Sequence, residues 1–310
     1  MNSQPGPEME VAPKPQADLD RWSYEAAFAR NLGLVSEPEQ GRLRKATVAI
    51  AGLGGVGGGY ALTLARMGVG GFRLADPDTF SVANFNRQAG ATGSSVGQNK
   101  AETIGRMVLD INPEARVWTS RAGIDPGNID TFLDGADLAL DGIDFFALEA
   151  RRLLFARARE KGLWVLSAGP LGFSTAFLAF SPKGMSFDAY MDLRPGMTRE
   201  EQLIAFLVGI APRATHQAYM DFSKVNVESG AGPSLGAACQ LCSGVIGVAS
   251  LAILLGRPPS RPAPAFSQFD PYRGLYRRGR LRWGNRGPLQ RLKRVLVARM
   301  FKRLGLSLSP

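Results

Sequence analysis

The sequence predicts an α/β protein: a doubly wound, Rossmann-like nucleotide-binding domain carrying additional strands and a basic C-terminal extension. Three observations support this. A short apolar, β-branched run, "ATVAIAG", ends in the glycine loop "GLGGVG". An acid, Asp76, closes the next apolar run, "GFRLAD". Beyond it, strand-like and helix-like segments alternate, which is the pattern of a parallel sheet with helices on both faces.

In order, "ATVAIAG" suits a central parallel strand because it is apolar throughout. Gly52, Gly54, Gly55 and Gly57 come next, then a helix to about Met67 and the strand "GFRLAD". Glycines there permit a tight turn and close backbone approach to a phosphate, and a helix N-terminus offers free N–H groups to an anion. Asp76 stands where a carboxylate takes ribose hydroxyls. Next come a helix over 98–109, the strand "ARVWTS", a short helix near Ile129, the strand "ADLALD", a helix over 146–161 and the strand "LWVLSAG". "TAFLAFSP" suggests additional, antiparallel strands.

Composition divides the chain. Residues 1–18 are proline-rich and apolar-poor and read as a disordered leader, 19–256 as the nucleotide-binding domain, 257–286 as a proline- and arginine-rich linker, and 287–310 as a basic amphipathic helix. From Arg257 onward there are fourteen Lys/Arg and one acid, Asp270, whereas the remainder is slightly acidic. The net charge of +10 therefore belongs to the C-terminal extension. In that extension Leu289, Leu292, Leu296, Met300 and Leu304 share one helical face, with Arg291, Lys293, Arg294, Arg299, Lys302 and Arg303 around them. An anionic membrane surface, RNA, and packing of the stripe on the protein's own core are the three readings.

No secretory signal precedes the domain, and Cys239 and Cys242 are the only cysteines, so a reducing cytoplasm is the expected compartment, with the tail as a peripheral contact at the inner membrane surface. One "CQLC" supplies half of a tetrahedral zinc site inside an apolar helix, so buried small side chains are expected rather than zinc. The lone histidine, His216, disfavours a His-based triad and reads as a surface or turn residue. Residues 232–256 carry no charge; a membrane span and a helix buried on all sides both fit.

The segment after the second strand bears on the ligand. "DPDTFSVANFNRQAGATGSSVGQNKAE" carries residues that a simple dehydrogenase does not need: Arg87 can fork two phosphate oxygens and Lys100 can place a charge on another. "DGID" puts Asp144 at the carboxyl edge of the sheet, as a Mg²⁺ ligand. Singly, each has a plainer reading as a surface ion-pair partner or, for Asp78 and Asp141, a turn or strand-end cap.

Taken together, "GLGGVG", "ADPDTFSVANFNRQ", Lys100 within "GQNKAE" and "DGID", in this order, resemble the ThiF/MoeB family, whose fold is shared with ubiquitin-activating enzymes. "FARNLGL" is similar to the family's arginine element, and the resemblance spans roughly 21–256. It implies that the loop holds ATP, not NAD. Asp76 would bind ribose, with Asn84, Arg87 and Lys100 on the phosphates, Asp144 on magnesium, and Asp78 and Gln88 as lesser contacts. Arg30 would reach the nucleotide of a second subunit across a homodimer. The implied reaction is attack of a substrate carboxylate on the α-phosphate, giving an acyl adenylate and pyrophosphate. The chain departs from the family in having one CxxC, no cysteine between Gly169 and Ala238 for a thioester, and Phe145 where relatives have asparagine. A peptide or ubiquitin-like C-terminus is the leading substrate; a tRNA-modifying dehydratase, a non-catalytic adaptor and an NAD-dependent oxidoreductase are the alternatives.

Overall fold

The computed structural model describes residues 9–10, 22–225, 232–257 and 261–303. Its strands are β1 (Met9–Glu10), β2 (Thr47–Ala51), β3 (Gly71–Ala75), β4 (Arg116–Ser120), β5 (Leu138–Asp141), β6 (Trp164–Leu171), β7 (Ser174–Phe180), β8 (Ala265–Asp270) and β9 (Leu275–Arg280). They form one sheet in the order β1-β4-β3-β2-β5-β6-β7-β8-β9. β4, β3, β2, β5 and β6 are mutually parallel, and β1, β7, β8 and β9 pair antiparallel. From β2 the chain winds outward to β3 and β4, then returns to β5 on the other side. A crevice therefore opens at the carboxyl ends of β2 and β5, where open α/β sheets bind ligands.

The helices are α1 (Tyr24–Phe28), α2 (Glu37–Lys45), α3 (Gly57–Arg66), α4 (Lys100–Ile111), α5 (Ile129–Phe132), α6 (Leu148–Glu160), α7 (Phe187–Met191), α8 (Arg199–Ile210), α9 (Gly236–Leu254) and α10 (Pro288–Arg303). Alternation in β2 assigns the two cores. Val48 and Ile50 pack with Tyr60 and Leu64 of α3, Ile104 of α4 and Ile246 of α9. Ala49 and Ala51 face the layer of Leu154 and Phe155 from α6 and Phe206 from α8. Bulky side chains thus point to one face of the central strand and alanines to the other.

The uncharged segment forms α9, which lies across β6 and β7 and against α3. Small residues set this close approach: a Cβ on Gly59 would lie 2.3 Å from Ser243 Oγ. By length and composition α9 is apolar enough to cross a membrane, yet Cys239, Cys242 and Ile246 are buried in the sheet's core. It is not buried on all sides, since Val248 is 71% exposed.

One expectation is untested and two are corrected. The leader lies outside the described residues except Met9–Glu10, which form an edge strand on β4. The segment 257–286 is not a linker throughout: β8 and β9 extend the sheet, with Phe266 and Asp270 buried, because alternation in "AFSQFD" outweighs the flanking prolines. His216 is buried in a short 3₁₀ turn, Thr215–Ala218, rather than on the surface, and burial pulls its pKa down to about 4.

α10 is helical as expected but belongs to the domain. Val297 and Phe301 pack on Leu203, Ile204 and Val208 of α8. Lys293 Nζ donates to Pro212 O at 2.6 Å, and Arg294 pairs with the buried Asp192 at 2.9 Å. The leucine stripe faces outward: Leu289, Leu292 and Leu296 are each more than half exposed. The sequence holds two apolar faces, and α8 takes the one with Phe301 because Lys293 and Arg294 then reach their partners. Leu304 lies outside the described residues.

Candidate active site

The glycine loop is held by close backbone contacts. Gly52 leaves β2 with φ +81°, a left-handed conformation that suits glycine, and a Cβ there would lie 2.4 Å from Gly142 O. A Cβ on Gly57 would sit 1.8 Å from Gly52 O. The "DGID" turn is thus pressed against the loop, and neither glycine has room for a side chain. Gly54 and Gly55 differ: their nearest neighbours are the side chains of Gln88 at 3.5 Å and Cys239 at 3.3 Å. α3 starts at Gly57 with no side-chain cap, so its first N–H groups are free to bind an anion.

Asp76 clamps this loop from below. Leu53 N–H donates to Oδ2 at 2.6 Å and Asp78 N–H to Oδ1 at 2.9 Å. The carboxyl is buried, and that burial pushes its pKa upward. Asn99, which the sequence reading missed, completes the clamp. Its amide donates to Asp76 O and Asp78 O, while Oδ1 accepts from Ala101 and Glu102 N–H as the cap of α4. An asparagine immediately before Lys100 and a helical run was the available signal.

Lys100 opens α4 as a buried residue whose ammonium meets Asp78 at 2.9 Å, with the Asp78 side chain mostly exposed. Residues 84–88 lie over the glycine loop. Asn84 Oδ1 accepts from Ser81 N–H and so shapes the turn. Arg87 Nη1 donates to Ala83 O and Asn86 Oδ1, and its Cδ lies 4.0 Å from the position of a Cβ on Gly55. Gln88 Oε1 is buried with no partner beside Gly54. A buried acceptor beside the loop can take a donor group of a bound nucleotide.

At the end of β5 the two aspartates separate by role. Asp141 is buried, accepting from Arg151 Nε at 2.9 Å and Ser167 Oγ at 2.8 Å. Arg151 also donates to Ile143 O and Phe145 O, so it braces the "DGID" turn. This buried pair was missed; an arginine ten residues after a strand-end aspartate was its trace. Asp144 is exposed, with Oδ1 accepting from Phe146 N–H. Phe145 packs against Phe206 of α8 instead of facing the crevice with a polar group.

Gly52, Gly54, Gly55, Gly57, Asp76, Asp78, Arg87, Gln88 and Lys100 are therefore gathered on one edge, with Asp144 beside them through Gly142. Arg30 is not. It is exposed in the turn Ala29–Asn31, and neighbouring Asn31 donates to Met67 O at the far end of α3. Ten helical residues, about 15 Å, separate that end from the loop. Cys239 and Cys242 are buried, the latter with Sγ 3.1 Å from Thr175 Oγ1, and among the described residues no three His, Cys, Asp or Glu are grouped to hold a metal.

Comparison with known proteins places the family and the fold. The chain is 34% identical over 155 residues to a tRNA threonylcarbamoyladenosine dehydratase of Haemophilus influenzae, a match covering 49% of this chain and 58% of that protein. It thus spans little more than half of that relative's length. In fold it is similar to Escherichia coli MccB in complex with MccA-N7isoASN, with TM-score 0.64 and 18% identity over 87% of this chain and 75% of that one. It is also similar to the E. coli tRNA N6-threonylcarbamoyladenosine dehydratase TcdA in complex with ATP, with TM-score 0.54 and 22% identity over 76% of this chain and 96% of that one. The family model described as ThiF family matches residues 28–287. With the glycine loop, its clamp and the "DGID" turn placed on one sheet edge, the chain belongs to the ThiF family.

Proposed function

We propose that this protein binds ATP in the crevice above β2 and β5 and transfers its adenylyl group to a substrate carboxylate. The observation that carries the reading is an uncapped helix start at the glycine loop, with Arg87 beside Gly55, Lys100 tied through Asp78 to the Asp76 clamp, and the "DGID" turn pressed on Gly52. Asp76 takes the ribose through lone pairs left over from its loop contacts. The N–H groups at the start of α3, Arg87 and Lys100 take the phosphates, with Asn84 and Gln88 at the margin and Asp78 as the counter-ion that holds Lys100 in place. Asp144, a single exposed carboxylate, suits Mg²⁺ shared with ATP phosphates rather than an all-protein metal cage. When bound, that ion would neutralise phosphate charge.

The step needs no protein nucleophile. A carboxylate oxygen attacks the α-phosphorus, the bond to the bridging oxygen breaks, and pyrophosphate departs with the bond's electrons. Charge grows on the leaving group, so cations fixed beforehand stabilise the transition state more than the ground state. A peptide or ubiquitin-like C-terminus is the leading substrate. The similarity to a tRNA threonylcarbamoyladenosine dehydratase favours a second, a carboxyl group on a modified tRNA base.

Arg30 acts in a homodimer, completing the partner's site, because within its own chain it lies at the wrong end of α3. ATP–pyrophosphate exchange tests the whole reading. Exchange dependent on an added peptide carboxylate supports the first substrate and exchange dependent on tRNA the second. Tight NADH binding without ATP binding would sink both.

A further inference from the structure

On the α9 side of the sheet the helical cover stops short. α9 packs across β6 and β7, but the same face of β8 and β9 carries no helix, and a trough of about 1450 Å³ runs along that step. Lys183, Arg261, Arg278, Arg280 and Arg282 line it, all five exposed. Among the described residues no aspartate or glutamate lines it, and none of the five takes part in an ion pair. Outside the trough, Arg44, Arg121, Arg157 and Arg257 each hold a glutamate or aspartate. The trough is therefore a local excess of uncompensated positive charge.

The strand register adds shape to that charge. In β9, Tyr276, Arg278 and Arg280 share one face and lie opposite Phe269, Ser267 and Ala265 of β8. The two arginines are two residues apart, about 7 Å along the strand, on the scale of successive phosphates in an extended nucleic-acid strand. Tyr276 is 58% exposed and Phe269 37%, their rings edge-on with centroids 6.3 Å apart. An open sheet face bearing exposed aromatics beside a row of cations can stack bases while holding phosphates. An acidic peptide would use the cations and leave the aromatic platform idle.

We infer that this trough is a binding surface for single-stranded RNA, separate from the nucleotide crevice and independent of any adenylation step. Its arginines hold the backbone, and Tyr276 with Phe269 takes unstacked bases.

Fluorescence anisotropy of the full-length protein with a labelled oligouridylate of about 12 nucleotides tests it. Binding should weaken steeply with salt. Arg278→Glu with Arg280→Glu should lower affinity at least about tenfold and flatten the salt slope by roughly 1.4, or about 0.7 per lost phosphate contact. Tyr276→Ala should cost about tenfold with the slope unchanged, a second, charge-neutral variant at an exposed position. Arg291→Glu with Arg299→Glu on α10 is the control and should leave affinity unchanged. The inference is overturned by failure of the wild-type protein to bind, by loss only in the α10 variant, or by polyglutamate competing equally with Tyr276→Ala without effect. Pyrophosphate exchange by these variants keeps the two readings apart: RNA binding without exchange removes adenylation alone, and exchange without RNA binding removes the trough alone.

Discussion

At the scale of single residues, the site separates positions that hold the fold from positions that meet a ligand. Lys100 is buried along its stem and pairs only with an exposed carboxylate, so Lys100→Ala should leave stability nearly unchanged. Pyrophosphate exchange should fall about 10²–10³-fold, the usual effect of losing one preorganised charge; full activity would remove Lys100 from the chemistry. Gly52→Ala and Gly54→Ala offer a sharper contrast. The first places a Cβ against backbone at a left-handed φ and should prevent the loop from forming, while the second meets only the Gln88 side chain. Thermal unfolding should show a large loss for Gly52→Ala and little for Gly54→Ala. His216 governs a pH effect. Burial depresses its folded pKa to about 4 from an ordinary value near 6.5, and Nδ1 has no partner. A base with a depressed folded pKa contributes stability that is present above pH 6.5 and lost as pH falls toward 4, here about 3 kcal/mol. Denaturant titrations between those pH values should show that slope in the wild-type protein and a reduced one in His216→Leu.

At the scale of elements, the informative case is α10. Its anchor is Phe301 with Val297 on α8, so Phe301→Ala should destabilise the protein by about 3 kcal/mol, as for a buried aromatic truncated to alanine. Leu292→Ser, on the outward face, should change stability by no more than about 0.5 kcal/mol. The contact with an anionic membrane surface expected from the sequence is a proposal, and it would fall to the outward leucines with Arg291 and Arg299. Sedimentation with anionic vesicles checks that reading: Leu292→Asp with Leu296→Asp should abolish it without affecting ATP binding, and equal sedimentation of the variant would remove the stripe from the contact. α9 shows the complementary lesson. An uncharged 19-residue helix is explained by glycines and small residues that let it settle on α3 and the sheet.

At the scale of the whole molecule, Arg30 lies a helix length from the glycine loop, so the role proposed for it requires a second chain. Mixed Arg30→Ala and Asp144→Ala subunits should recover activity in heterodimers, where one site retains both groups. Size-exclusion chromatography with activity across the peak checks this, and full activity in a monomer contradicts it. The charge division also acts at this scale. The basic residues after 257 do not form a detached tail: most lie in or beside β9 and α10, which join the sheet and pack on α8, while the glycine loop and its clamp lie at the carboxyl ends of the strands.

The sequence by itself determined the order of strands and helices from β2 to β7, the glycine loop, Asp76 and the ThiF resemblance. Each rests on local periodicity or on residues close together along the chain, and those signals survive without knowledge of neighbours. Only the tertiary structure decided which buried polar groups hold the site: Asn99 bridging two loops, and Asp141 with Arg151 bracing the "DGID" turn, are contacts between segments whose spacing carries little pattern. The same holds for the C-terminal region. Prolines around 257–264 favoured a linker, and the leucine stripe was the apolar face read on 287–310, whereas α8 takes the face of Val297 and Phe301. Strand pairing with β7 and the surface offered by α8 chose between the alternatives, because burial is a property of the partner surface and not of the segment alone.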